Sequence, residues 1–176
     1  MRTEPYPLTD IVDIITRTFA RMQGASLAAD GLDGDQILSV MPETAQSVIL
    51  YDPDGRREVY SDLKDIQERA YPLESFRPLA ASCDLLAICN SNFARARLHE
   101  GQKLGKRIAT DVHAIAELDD AFNRDFMAAA DILFMSHERL PVPPEEWAAA
   151  VVDRYNPTVL VIGLGAEGAL LAVPHD

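Results

Sequence analysis

The feature that most constrains the fold is a regular alternation of short apolar segments with helical patterns in the second half of the chain. The expected strands are residues 84–89, 107–111, 132–135 and 158–163, and the expected helices are residues 93–104, 118–130 and 145–155. Strands joined by helical crossovers pair in parallel, and continuous apolar runs indicate strands that are buried on both faces. The alternation therefore predicts an α/β fold with a doubly wound, mostly parallel sheet and helices on both faces.

The first half of the chain has a looser pattern. Apolar residues at helical spacing predict an amphipathic helix over residues 9–22, and a polar stretch over residues 29–36 predicts a loop. Residues 47–52 and 58–61 flank the turn sequence Pro53-Asp54-Gly55, which predicts a β-hairpin. We expect one domain over residues 1–176, with the hairpin at about residues 46–62 as a flap.

Composition excludes several functional classes. The 176 residues contain 16 basic and 28 acidic side chains, for a net charge of -12. Such a surface repels phosphate backbones and anionic lipids, which argues against nucleic-acid and membrane-surface roles. No apolar run approaches the ~20 residues of a membrane-spanning helix. The only cysteines, Cys83 and Cys89, are expected as small core residues in a reduced, cytoplasmic chain.

Candidate site residues follow from the position of ligands in open parallel sheets, which bind outside the carboxyl ends of the strands. The residues that follow the second, third and fourth expected strands are Asp111, His113, Ser136, His137, Glu138, Gly163, Gly165 and Gly168. Each also has a structural interpretation: a turn cap for Asp111, backbone bonds for Ser136 and a solvated carboxylate for Glu138. Asp111, His113, His137 and Glu138 are metal-ligand types, but their spacing matches no defined metal motif, and we expect no dedicated metal site.

The final nineteen residues carry the clearest signal. The apolar run 158–163 leads into Leu164-Gly165-Ala166-Glu167-Gly168, and a second apolar run covers residues 169–173. Glycine has no Cβ, so a glycine turn between two strands lets backbone approach a ligand closely.

This segment resembles the ribokinase-like carbohydrate kinases, also called the PfkB family. Residues 161–170 are similar to that family's V-V-T-L-G-x-x-G-x-L strand and turn, with Gly163 where threonine is usual. Residues 48–56 resemble the family's hairpin lid, which covers the sugar. Residues 106–113 resemble the segment whose Asp-x-Asn lies near the phosphates and metal, with His113 at the asparagine position. Residues 130–139 resemble A-D-x-x-x-x-N-x-x-E, with Ser136 and Arg139 at the asparagine and glutamate positions.

The resemblance implies ATP-dependent transfer of a γ-phosphate to a hydroxyl of a sugar or nucleoside, with ATP and Mg²⁺ as cofactors. The nucleotide-binding residues that it implies are Gly163, Leu164, Gly165, Gly168, Asp111, Ser136 and Glu138. Because Arg139 stands at the glutamate position, the adjacent Glu138 is left as the carboxylate that could support the metal and phosphates.

Two segments of the family have no counterpart in the 176 residues. One is the glycine- and asparagine-rich opening that grips the sugar, and the other is D-T-x-G-A-G-D, which supplies the anion hole and the catalytic base. We therefore expect a truncated kinase core that is inactive alone and leaves a sheet edge and an apolar face uncovered. A homodimer through the hairpin or the sheet edge is a possible consequence. The alternatives are a non-catalytic nucleotide-binding fragment or subunit and, less favoured, a metal-dependent hydrolase.

Overall fold

The computed structural model describes residues 25–31, 37–38, 40–53 and 57–174. They belong to two compact units, Met1–Gln67 and Glu68–Asp176. The helix predicted at residues 9–22 and most of the polar stretch 29–36 lie outside the described residues.

The first unit contains the predicted hairpin. Strands β1 (Gln46–Tyr51) and β2 (Arg57–Asp62) pair antiparallel, from Gln46 opposite Asp62 to Tyr51 opposite Arg57. Large apolar side chains on both faces of the hairpin are exposed: Val48, Ile49, Leu50, Tyr51, Val59 and Tyr60. An isolated two-stranded hairpin is marginally stable in water, so this apolar surface suits a role in contact with another surface. The homodimer through this hairpin or a sheet edge stays a prediction.

The second unit is an α/β sandwich built on one sheet. Its strands are β3 (Leu85–Ala87), β4 (Arg107–Ala114), β5 (Ile132–Ser136), β6 (Val159–Gly163) and β7 (Ala169–Ala172). Its helices are α1 (Leu73–Ser82), α2 (Asn92–Arg95), α3 (Leu98–Lys103), α4 (Arg124–Ala129) and α5 (Pro144–Tyr155). The strands lie in the order β3-β4-β5-β6-β7, with β3 to β6 parallel and β7 antiparallel to β6. The α/β fold with a mostly parallel sheet is therefore confirmed.

The two faces of the sheet differ. On one face every second strand residue is buried, including Ile108, Leu133 and Leu160, and these residues share a core with Phe126 of α4 and Val151 of α5. The alternate residues face the other way and remain open: Leu85 is 41%, Phe134 40% and Leu171 64% exposed. Within the described residues only one face is covered, so the expected burial of these strands on both faces is not met there.

Both cysteines are free and exposed, so their assignment to the core is wrong. Cys89 follows β3 on the side of the open face, since Leu86 and Ile88 take the buried positions. Cys83 lies just after α1, at its carboxyl end.

Some helix boundaries also differ from expectation. The helix expected at residues 93–104 is two short helices, α2 and α3. The helix expected from residue 118 begins at Arg124, because Asp120 Oδ1 accepts hydrogen bonds from the N–H groups of Phe122 and Asn123 and holds a turn there. Helix α1, which contains Pro78, was not anticipated. No described helix combines the length and apolar character needed to cross a bilayer.

Because the core lies on one face of the sheet, alanine substitutions of two leucines on opposite faces should have different effects on stability. Leu133→Ala in the centre should lower the free energy of unfolding by about 2–5 kcal/mol, because it leaves a cavity among fully buried neighbours. Leu171→Ala on the open face should cost less than about 0.5 kcal/mol. Urea unfolding followed by circular dichroism measures both. A loss at Leu171 that matches the loss at Leu133 would show that the face is covered in solution.

Candidate functional site

The glycine turn between β6 and β7 forms the centre of the candidate site. Strand β6 ends at Gly163, a single 3-10 turn covers Gly165–Glu167, and β7 begins at Ala169. The N–H of Leu164 donates to the Gly168 carbonyl at 2.8 Å, and the N–H of Gly168 donates to the Gly165 carbonyl at 3.2 Å. Gly165 and Gly168 have φ angles of 62° and 99°, so both positions favour glycine. The predicted strand–turn–strand is present.

The backbone of this turn is accessible. A Cβ placed on Gly168 would meet no atom within 4 Å, and one on Gly165 would meet only His137 Cε1, at 3.8 Å. The partly buried side chain of Leu164 packs against the core. A flat ligand could therefore lie directly against the main chain.

The end of β5 lies beside the turn. Ser136, the last residue of β5, is paired with Gly163 in the parallel register. Its Oγ accepts a hydrogen bond from the N–H of Glu138 at 3.3 Å and so caps the 3-10 turn His137–Arg139. The His137 Nδ1 lies 2.8 Å from the Gly163 carbonyl oxygen. Ser136, His137 and Glu138 are therefore brought to the same end of the sheet as the glycine turn.

Asp111 and His113 were expected to follow their strand, but β4 continues to Ala114, so both residues lie within it. The pairing of β4 with β5 shifts between Asp111 and Ala114, and His113 has a φ of 58° at this irregularity. Asp111 Oδ1 accepts a hydrogen bond from the His113 N–H at 2.8 Å, and Asp111 Oδ2 lies 3.5 Å from His113 Nδ1. Histidine and asparagine adopt this left-handed conformation more readily than most residues. Asp111 is level with Phe134 of β5 and Val161 of β6, so it lies about 10 Å across the sheet from Val161, and Gly163 is two residues further along β6.

A cleft of about 230 Å³ adjoins Asp111. Its lining residues are Ala87, Ile88, Cys89, Asn90, Ala109, Thr110, Asp111, His113 and Phe134. Three of them, Cys89, Asn90 and Phe134, were not among the site residues predicted from the sequence. Cys89 and Asn90 follow β3, so applying the strand-end rule to the first strand would have found them. Phe134 gave no such signal, because its strand is apolar throughout.

A larger cleft of about 660 Å³ lies elsewhere in the second unit. Most of its charged side chains are already paired: Arg154 donates to Asp119 at 2.8 Å, and Asp125 accepts from Arg95. The hydrogen bond to Asp119 raises the pKa of the Arg154 guanidinium above its ordinary value. The size of this cleft does not by itself indicate a function. The sheet edge therefore remains the better candidate for the functional site.

The metal-ligand types are not gathered into a metal-binding group. Within the described part of the chain, no three or more histidine, cysteine, aspartate or glutamate side chains could hold an ion together. A nucleotide-associated Mg²⁺ needs fewer protein ligands, because it is bound by one or two carboxylates with phosphate oxygens and water. Asp111 and Glu138 fit that requirement.

Comparison with known proteins gives structural matches only. No protein-family model and no curated protein matches the chain. A microbiome-derived acarbose kinase is 24% identical with a TM-score of 0.65, over 77% of this chain and 45% of its own. The fructokinase of Vibrio cholerae O395, solved with fructose, ADP and calcium, is 19% identical with a TM-score of 0.66, over 90% of this chain and 57% of its own. The ribokinase of Giardia lamblia is 10% identical with a TM-score of 0.58, over 77% of this chain and 46% of its own.

The chain thus spans about half the length of the solved structures that it matches. All three are carbohydrate kinases. The chain has the ribokinase-like fold of these carbohydrate kinases, over part of their length.

Proposed function

We propose that this chain is the nucleotide-binding part of an ATP-dependent carbohydrate kinase. The observation that carries the proposal is the glycine turn, whose backbone is open at the carboxyl end of β6 beside Ser136 and Glu138. The ribokinase-like fold supports the same conclusion, and the fructokinase that shares it was solved with ADP.

In this proposal different residues of the sheet edge contact different parts of the nucleotide. The backbone of Gly163, Leu164, Gly165 and Gly168 lies along the adenine, and the two positive-φ glycines keep side chains out of its space. We assign Ser136 at the end of β5, Glu138 in the turn that follows it, and Asp111 in the second half of β4 to the phosphates. When bound, ATP supplies the transferable phosphoryl group and Mg²⁺ supplies the positive charge that stabilises the transfer.

The same proposal leaves residues 1–176 without the group that would remove a proton from the acceptor hydroxyl. Phosphoryl transfer needs a positioned carboxylate for that proton and an anion hole for the phosphate, and the 176 residues contain no D-T-x-G-A-G-D segment. We therefore propose that these residues bind the nucleotide without transferring its phosphate by themselves.

The metal-dependent hydrolase is the weaker candidate. Its four ligands would be Asp111, His113, His137 and Glu138, but Asp111 and His113 pair with each other on β4. His137 is turned toward the Gly163 carbonyl, with Nδ1 at hydrogen-bonding distance. No observation in the described residues favours a shared metal among the four.

The glycine turn is tested by Gly165→Val. A branched side chain at this position would occupy the open space and strain the turn, so ADP binding measured by isothermal titration calorimetry should fall below detection. Gly105→Val is the matched control, since Gly105 also has a positive φ of 66° and open surroundings but lies at the amino end of β4. If both variants bind ADP equally, the turn is not the nucleotide site.

Gly163 allows a substitution that should strengthen ADP binding. A Cβ there would lie 3.7 Å from the Met135 carbonyl oxygen, an ordinary contact, so a side chain can be accommodated. Gly163→Thr restores the hydroxyl that the resemblance places at this position and should tighten ADP binding about threefold to tenfold, the range of one hydrogen bond. Gly163→Val has the same shape without the hydroxyl and should show no gain. Equal affinities for the two variants would remove this residue from the nucleotide contact.

Phosphoryl transfer is tested separately with the purified chain. We expect no ATP-dependent phosphorylation across a panel of sugars and nucleosides in a coupled ADP-release assay. Turnover above background that Asp111→Ala abolishes would contradict this, and would place a complete active site within these residues.

A further inference from the structure

A hydrogen bond between His137 and Gly163 joins the end of β5 to the glycine turn. Strands β5 and β6 end at the same level, with Ser136 opposite Gly163 as the last pair. One residue later, the His137 Nδ1 lies 2.8 Å from the Gly163 carbonyl oxygen. Its Cε1 also lies 3.8 Å from the place where a Gly165 Cβ would be.

The geometry points to His137 as a positioning residue for the nucleotide-binding turn, an inference that rests on the proposed function. A carbonyl oxygen can only accept a hydrogen bond, so in the neutral ring Nδ1 carries the hydrogen and Nε2 does not. The side chain thereby acts as one more strand-to-strand hydrogen bond beyond the last pair of β5 and β6.

Beyond the flanking pair Gly163–Ala169 and the packing of Leu164, the hydrogen bonds of the turn are internal, so the bond from His137 is its added link to β5. The N–H groups of Leu164, Glu167 and Gly168 donate to carbonyls of Leu164, Gly165 and Gly168, all within the turn itself. Two positive-φ glycines make the segment conformationally permissive. Without the bond from His137 the turn would spend less time in the arrangement that accepts a ligand, and apparent affinity falls in proportion to that population.

The test combines nucleotide affinity with amide hydrogen exchange. His137→Ala should weaken ADP binding about threefold to tenfold, the range expected for one hydrogen bond. In the nucleotide-free protein it should also speed the exchange of the Leu164 and Gly168 amides, while the Gly105 amide is unchanged. His137→Asn keeps an N–H donor at the δ position and should restore both values. His99→Ala, an exposed histidine on α3, should change neither.

Either readout unchanged in His137→Ala would overturn the inference, as would a His137→Asn variant as impaired as His137→Ala. If the unsubstituted protein does not bind ADP, the proposed function fails, and the exchange comparison then decides alone whether His137 holds the turn. The ring tautomer gives a measurement without substitution: ¹⁵N chemical shifts of neutral His137 should show the hydrogen on Nδ1. A hydrogen on Nε2 would overturn the inference.

Discussion

The parallel pairing of β5 with β6 is the interaction on which the candidate site depends. Because the two strands are in register up to Ser136 and Gly163, the segments that follow them leave the sheet side by side. One segment is the capped turn that carries His137 and Glu138, and the other is the glycine turn. Leu133, Leu160 and Ile162 are completely buried, so the strands that present the two turns are anchored in the core. A rigid base with ligand-facing loops is the usual arrangement of binding sites on α/β sheets.

The negative charge of the chain limits how an anionic ligand can bind at this site. The chain carries a net charge of -12, and the acidic residues at the sheet edge, Asp111 and Glu138, add negative charge where phosphates would lie. An anionic ligand is therefore attracted there only with a counter-charge, which a divalent cation between carboxylates and phosphates supplies. In the proposed site the glycine turn does not face this problem, because adenine is neutral and would contact backbone. The two parts of the site thus differ in chemistry, and only the phosphate end should depend strongly on Mg²⁺.

Much of this arrangement could be predicted from the sequence, because its signals are local. The apolar runs identified the strands from β3 to β7, Pro53-Asp54-Gly55 identified the hairpin, and the spacing of Gly165 and Gly168 identified the turn. The details that depend on tertiary contacts could not be read in this way. An apolar run does not show which of its faces is covered, so Phe134 and Leu171 looked like core residues although they are exposed. The late start of α4 depends on one side chain, Asp120, competing for backbone N–H groups. The bond from His137 to Gly163 joins residues 26 positions apart and has no sequence signature.

The most direct measurement of the central claim is an amide NMR titration of the ¹⁵N-labelled chain with ADP and Mg²⁺. If the turn forms the adenine wall, the amides of Gly163, Gly165 and Gly168 should shift most, followed by those of Ser136 and Glu138. Saturating shifts confined to another region, such as the cleft around Arg154 and Asp119, or no shifts at millimolar ADP, would contradict the account.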